Sequence, residues 1–266
     1  MSARAMIAGA GRLPVELVAA LDTPPLVCAP EGAETALPVD VPFRFERLVP
    51  FLRDLGARGV TQVVFAGAIH RPRLDPSLFD PETAALVPRL LPALQGGDDA
   101  LLRAIIEVFN EFDLDVQGAG GLAPVLLAPQ GTLTARAPTR DETADATRAT
   151  GILSALDVAD VAQAVIVARG LCLGVEAIYG TDALLAQVAT ARPSREPRSG
   201  GVLAKRAKAG QDLRMDLPTV GPATIAGMQA AGLTGLCLQA GRVIMLERAR
   251  MIAEADAAGI TIWANP

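Results

Sequence analysis

The chain has 266 residues, of which 51% are hydrophobic and only 3% aromatic, and its formal net charge is −5. That length suits two domains, and an aliphatic excess of this size excludes a disordered chain. The acidic balance has no basic stripe to offset it, which argues against nucleic acid as a partner, because phosphate contacts need clustered Lys and Arg.

The first half alternates short apolar strands with helices. Ala5-Met6-Ile7-Ala8 reads as a buried strand, Gly9-Ala10-Gly11 as a turn, and Pro14 suits the first turn of a helix running to about Leu21. Leu26-Val27-Cys28 is a short strand, and Phe45, Leu48, Val49, Leu52 and Leu55 recur at helical spacing. Gln62 to Ala66 is the next strand, a helix spans Asp98 to Phe112, and Leu114-Asp115-Val116 starts another strand. This alternation predicts an α/β fold with a mostly parallel sheet covered on both faces. Residues 118–139 are rich in Gly and Pro, which places a domain boundary near residue 131, giving units of 1–130 and 131–266.

The second half reads as a mixed α/β unit. A helix runs from Asp141 to Leu156, and strands at Ala164–Arg169 and Leu171–Ala177 flank Arg169-Gly170 as a hairpin. Thr181 is placed as the cap of a helix ending near Ala189. A strand follows at Gly201–Ala204, a helix opens at Gly221-Pro222, and late strands lie at Leu233–Leu238, Val243–Leu246 and Ile260–Trp263, of which Leu233–Leu238 and Ile260–Trp263 are expected to offer apolar edges that a dimer would cover.

Met1-Ser-Ala-Arg4 lacks the apolar core of a signal peptide. No run of about eighteen apolar residues is present to span a bilayer. A cytoplasmic protein is expected, with at most transient contact with the inner membrane face. Cys28, Cys172 and Cys237 form no CxxC pair and read as reduced, buried thiols. The single histidine, His70, excludes a multi-histidine zinc site in one chain. Any metal would then have oxygen ligands, which favours Mg²⁺ or Mn²⁺.

Several segments carry candidate chemistry. Gly9-Ala-Gly11 between a strand and a helix is either a phosphate cradle or a plain tight turn. Its third dinucleotide-fingerprint position is Pro14, which counts against NAD. Arg71 follows the third strand, where a ligand anion would sit in an open parallel sheet. Asp98 and Asp99 precede a helix, one as its N-cap and the other available to ribose or metal. Glu176 and Asp182 bracket Gly180-Thr181. The block from Gly201 packs Lys205, Lys208, Gln211, Asp212, Arg214 and Asp216 ahead of Thr219-Val-Gly221-Pro222. Cations, carboxylates and a helix start together suit phosphate hydrolysis. A solvated charged loop is the bland alternative.

The stretches IAGAGRLPVEL, FAGAIHRP, GDDALLR, VEAIYGTDALL, the block from GVLAK to DLPTVGPATI, and AGLTGLCLQAGRVIML resemble the UDP-2,3-diacylglucosamine pyrophosphatase family of the LpxI type over nearly the whole chain. The resemblance implies an N-terminal Rossmann-like domain, a distinct C-terminal domain, and substrate bound between them. It implies Mg²⁺-assisted hydrolysis of UDP-2,3-diacylglucosamine to UMP and 2,3-diacylglucosamine 1-phosphate, with Asp216 as the essential aspartate and a homodimer formed through the C-terminal domain. This chain has Gln239 and Tyr179 where the family often carries acidic residues. The expected roles are Asp216 for metal or attacking water; Asp182 and Glu176 for metal; Lys205, Lys208 and Arg214 for phosphate; and Gly9, Gly11, Arg71, Asp98, Thr181, Gln211 and Thr219 for substrate. An NAD-dependent oxidoreductase and a non-enzymatic lipid or nucleotide carrier remain as rivals.

Overall fold

The computed structural model describes residues 3–69, 73–95, 98–194 and 197–266. His70 and Arg71 lie outside the described residues, as does the side chain of Asp98. The chain divides into two compact units. The first runs to Val125 and also takes in Asp212–Asp216; the second comprises Leu126–Gln211 and Leu217–Pro266.

The first unit is built on five parallel strands, β1 (Ala3–Ala8), β2 (Leu26–Pro30), β3 (Val41–Phe43), β4 (Val60–Ala66) and β5 (Asp115–Gln117), in the order β3-β2-β1-β4-β5. Its helices are α1 (Leu13–Ala20), α2 (Leu48–Ala57), α3 (Pro81–Gln95), α4 (Asp98–Glu111) and the single turn α5 (Ala119–Leu122). Successive strand residues face opposite sides, and Ala5, Met6, Ile7 and Ala8 are all at most 1% exposed, so the sheet is covered on both faces. On one face Ile7 and Val63 pack with Leu52 and Leu55 of α2 and with Ile106 and Phe109 of α4. Each such side chain contributes about 1.5–3 kcal/mol on full burial.

Helix α3 was not foreseen from the sequence, because Pro88 and Pro92 lie inside it and each removes a backbone donor. Tertiary contacts outweigh that loss: Leu86 and Leu90 pack on the core, and Arg89 reaches Glu111 and Glu107 of α4.

The second unit contains a six-stranded mixed sheet. Its strands are β6 (Gly131–Thr132), β7 (Ala164–Ala168), β8 (Leu171–Val175), β9 (Val202–Lys205), β11 (Gly235–Gln239) and β13 (Thr261–Asn265), in the order β6-β13-β11-β9-β7-β8. The central β13, β11 and β9 are parallel, and β7, β8 and β6 join antiparallel to their neighbours. A two-stranded parallel pair, β10 (Thr219–Val220) with β12 (Ile244–Met245), lies apart from this sheet. The helices are α6 (Arg140–Leu156), α7 (Gly180–Ala191), α8 (Pro222–Ala230) and α9 (Arg248–Ala257). Two separate cores confirm a three-layer unit. Ile166, Leu203, Leu236 and Ile262 face α7, α8 and α9, while Val165, Val202, Cys237 and Trp263 face α6.

Three expectations are corrected. The late strands do not offer free edges: β11 lies between β13 and β9, and β13 is flanked by β6, so the edges are β6 and β8. Cys172 is exposed, unlike the buried Cys28 and Cys237. Thr181 does not cap α7; Tyr179 holds the N-cap position with no side-chain hydrogen bond, and Thr181 lies inside the first turn.

The start of α6 is set by a capping box. The Thr139 hydroxyl accepts from Glu142 N, and Thr139 N donates to Glu142 Oε2. Arg136 adds a fork onto both Glu142 oxygens at 2.8 Å. Burial of Glu142 opposes its charge, but the Arg136 fork and the Thr139 N–H outweigh it and hold the carboxyl at about 2 against an ordinary 4.5. A depressed folded-state value means that the contribution is full above pH 4.5 and is lost as pH falls through about 2. Glu142→Gln should therefore cost about 1–3 kcal/mol at pH 7, with the gap to wild type narrowing steadily below pH 4.5 in urea unfolding. A constant gap down to pH 2.5 would contradict this account.

Candidate active site

In the first unit, polar groups gather where the strands end. A buried parallel sheet leaves its carboxyl edge as the place for ligands. There the turn after β1 meets the turn after β4: Ala10 N donates to Ala68 O at 2.8 Å, and Ala68 N donates to Ala10 O at 3.0 Å. Gly9 N donates to Ala66 O, so it is not directed at an anion. A Cβ on Gly9 would stand 2.4 Å from Ala68 O, which explains the residue by close backbone approach. Gly11 has φ +96°, a conformation that favours glycine, and nothing lies within 4 Å of an added Cβ.

Beside these bridged turns is a cleft of about 390 Å³. Its lining includes Ala10 and Ala68, residues 30–34 after β2, and Phe43 to Glu46 at and after β3. Arg44 Nε lies 2.7 Å from Glu31 Oε2, and Glu46, 7% exposed, accepts from Asp75 N. No motif in the sequence marks this lining. The available signal was the charged residues that directly follow two short strands.

Asp216 belongs to the same unit, on the short segment Asp212–Asp216. Two local features attach this segment. Met215 packs against the first unit's core, and Gly118 approaches it so closely that a Cβ there would stand 3.0 Å from Leu213 O. Asp212 shapes the turn. Its carboxylate accepts from Arg214 N at 3.0 Å and from both sides of the Arg214 fork, at 2.9 and 2.6 Å. The Arg214 hydrogen bond holds the Asp212 carboxyl below its usual range despite partial burial. Asp216 N donates to Asp212 O at 3.4 Å. Asp212 thus organises the turn rather than merely solvating it, and Arg214 spends its charge there.

In the second unit, Lys205 is the last residue of β9 and is 7% exposed. Its ammonium donates to Thr181 Oγ1 at 2.5 Å, Thr181 Oγ1 donates to Glu176 Oε1 at 2.7 Å, and Lys205 stands 4.0 Å from that carboxylate. Gln163 N donates to the other oxygen. Three expected site residues are therefore joined in one buried network. The neighbouring cations are also paired: Arg206 with Asp157 and Lys208 with Asp160, each at 2.6 Å. Gln211 Oε1 accepts from Lys208 N, and Gln239 Oε1 accepts from Ala207 N. Thr219 donates to Leu217 O, and Asp182 is exposed in the first turn of α7.

The oxygen ligands expected for a metal are divided between the two units. Asp216 belongs to one unit and Glu176 with Asp182 to the other. Among the described residues no three His, Cys, Asp or Glu side chains are grouped to hold an ion. Glu176 is already occupied by Thr181, Gln163 and Lys205.

Removing one member of a buried ion pair leaves the other charge stranded, at a cost of about 3–5 kcal/mol, while a solvated pair is worth about 0.2–1 kcal/mol. Lys205→Met should therefore destabilise the protein by several times more than Lys208→Met, whose partner Asp160 is 55% exposed. Equal losses in chemical denaturation would show that the Glu176–Thr181–Lys205 network is not a buried structural unit.

Two family models match the chain in succession, the LpxI N-terminal domain over residues 3–126 and the LpxI C-terminal domain over residues 129–263. The chain is 34% identical, over 97% of its own length and 95% of the relative's, to the UDP-2,3-diacylglucosamine pyrophosphatase LpxI of Caulobacter vibrioides. With both domain models matched in order and one relative aligned nearly end to end, the chain belongs to the LpxI family.

Proposed function

We propose that the protein hydrolyses the diphosphate of UDP-2,3-diacylglucosamine, releasing UMP and 2,3-diacylglucosamine 1-phosphate for lipid A synthesis. The observation that carries this reading is the near end-to-end likeness to a pyrophosphatase of that name, together with Asp216 on a turn fixed by Asp212 and Arg214. In the reaction, a water oxygen bonds to the phosphorus nearer the sugar and the bridging P–O bond breaks. UMP leaves with the bridging oxygen, and the water's protons pass to a base and to solvent. Asp216 is the carboxylate assigned to orient that water or to hold a cation.

A divalent cation, Mg²⁺ or Mn²⁺, is part of the proposal. The cationic block is internally compensated: Lys205, Arg206, Lys208 and Arg214 each have a carboxylate within 4.0 Å. The charge that builds on a diphosphate therefore calls for a counter-charge from elsewhere. Mg²⁺ commonly uses one or two carboxylates plus substrate phosphate oxygens, so it needs no prebuilt cage. Asp216 would be its protein ligand, and when bound it would polarise the phosphoryl group.

The test is UMP release from UDP-2,3-diacylglucosamine with and without excess EDTA. Loss of turnover that Mg²⁺ restores is expected, and undiminished release in EDTA would remove the cation. Asp216→Ala should keep its fold and retain bound intact substrate, with kcat lower by about a hundredfold or more, the scale of one strong electrostatic contact. Near-wild-type turnover would remove Asp216 from the centre of the mechanism.

The homodimer is proposed through the second unit, now on the basis of edge strand β8, whose Leu171 is 57% exposed. Light scattering at micromolar concentration should give twice the chain mass, and a monomer mass would contradict it. Among the described residues no helix is long and apolar enough to cross a membrane. Contact with the cytoplasmic membrane face is proposed from the acyl chains of the substrate alone.

A further inference from the structure

We infer that one end of the second unit's six-stranded sheet is a membrane-docking surface, from which Ile178, Tyr179 and Val158 enter the interfacial layer of a lipid bilayer. The inference rests on the hydrolytic reading only for why a bilayer is visited. The surface itself follows from exposure and turn geometry.

The first observation is exposure. Among the described residues the large hydrophobic side chains most open to solvent are Val158, Ile178 and Tyr179, at 96%, 89% and 84%, ahead of Val125 at 64%. Single exposed apolar side chains are ordinary, but these three share one end of one sheet. Gln163 leads into β7 and Glu176 leaves β8. The two are joined, since Gln163 N donates to Glu176 Oε2 at 3.2 Å and Glu176 N donates to Ala164 O at 2.9 Å. Arg206 N, just past β9, donates to Gln163 O. Leu171 of the edge proposed for the dimer lies at the opposite end of β8.

The second observation is how these side chains are mounted. Ala177 to Gly180 form a tight turn, closed by Gly180 N donating to Ala177 O at 3.0 Å. Tyr179 has φ −81° and ψ −4°, the third position of a type I turn. Ile178 and Tyr179 are therefore its two corners. The base of the turn is pinned by the buried Glu176–Thr181–Lys205 network. Val158 is the middle residue of the turn Asp157–Ala159. That turn is held by Asp157 on Arg206 and Asp160 on Lys208, each at 2.6 Å. Apolar tips thus stand on bases fixed by ion pairs.

The third observation is what such tips fit. Turn corners are convex, and a fluid lipid layer receives them without a shaped partner. Three side chains fall short of the ~800 Å² that each partner buries in a stable protein interface. Tyr combines an apolar ring with a hydroxyl, which suits the level where hydrocarbon meets headgroups. The cations at this end, Lys205, Arg206 and Lys208, already have carboxylate partners. Insertion, not attraction to anionic headgroups, is then the driving force.

The test is sedimentation of the full-length protein with vesicles of phosphatidylethanolamine and phosphatidylglycerol. Wild type is compared with Tyr179→Trp and with the double variant Ile178→Ser, Tyr179→Ser. Both sites are exposed, so the variants should fold, and circular dichroism checks this. The double variant should bind vesicles about tenfold or more weakly, the effect of losing buried apolar area from two side chains. Tyr179→Trp should bind at least as well as wild type, and wild-type binding should persist at high salt. No binding by wild type, equal binding by the double variant, or binding abolished by salt would overturn the surface. A monomeric double variant beside a dimeric wild type would make the turns a self-interface and overturn it too. UMP release from UDP-2,3-diacylglucosamine is measured on the same preparations, with substrate in vesicles and in detergent. The double variant should be slower on vesicles only. Release with unaltered vesicle binding overturns the surface alone, whereas variant-sensitive binding with no release in either form supports the surface and overturns the substrate reading.

Discussion

Both main sheets are covered on two faces, and that constraint decides where chemistry can occur. Residues such as Ala5 to Ala8 and Ala164 to Ala168 have no face toward water, and a polar group placed there would have to be desolvated at a cost of several kcal/mol. Polar side chains are therefore pushed to the strand ends. Glu31 follows β2, Arg44 follows β3, and Lys205 ends β9. Lys205 is itself buried, and it is tolerated because Thr181 and Glu176 receive its charge.

The charged block after β9 changes character once its partners are seen. Read as a string, it is a row of cations suited to phosphate. In the folded chain Arg206, Lys208 and Arg214 each meet an aspartate at 2.6 Å. The cations hold turns in place: Arg214 fixes the Asp212 carboxylate, and the backbone carbonyl of Asp212 accepts from Asp216 N. The path of the chain agrees with this. The segment Asp212–Asp216 is part of the first unit, while Leu217 onward returns to the second. A motif contiguous in sequence is thus divided between two cores, with Met215 anchoring the Asp216 side.

Periodicity revealed most of the elements. Short continuous apolar runs marked β1, β4, β7 and β9, and helical spacing marked α2 and α4, because burial of both faces or of one imposes those patterns. It failed where local chemistry and packing disagree. Pro88 and Pro92 concealed α3, which Leu86, Leu90 and the Arg89 ion pairs sustain. Thr181 has the composition of a cap but serves as a bridge. Sheet edges were misassigned because strand order is not a property of any one segment: the apolar run at β11 looks the same in the middle of a sheet as at its rim.

The sequence by itself determined the α/β class, the family, and the segments that carry charge. These depend on local spacing and on residue types in order, which need no coordinates. Only the tertiary structure decided which charges are already paired, that Gly9 serves backbone packing rather than an anion, and that a cleft opens beside the Ala10–Ala68 bridge. The physical reason is that pairing, close approach and cavity depend on distances between residues far apart in the chain. Glu31 and Arg44 are thirteen positions apart in sequence and 2.7 Å apart in space, and no local pattern encodes that contact.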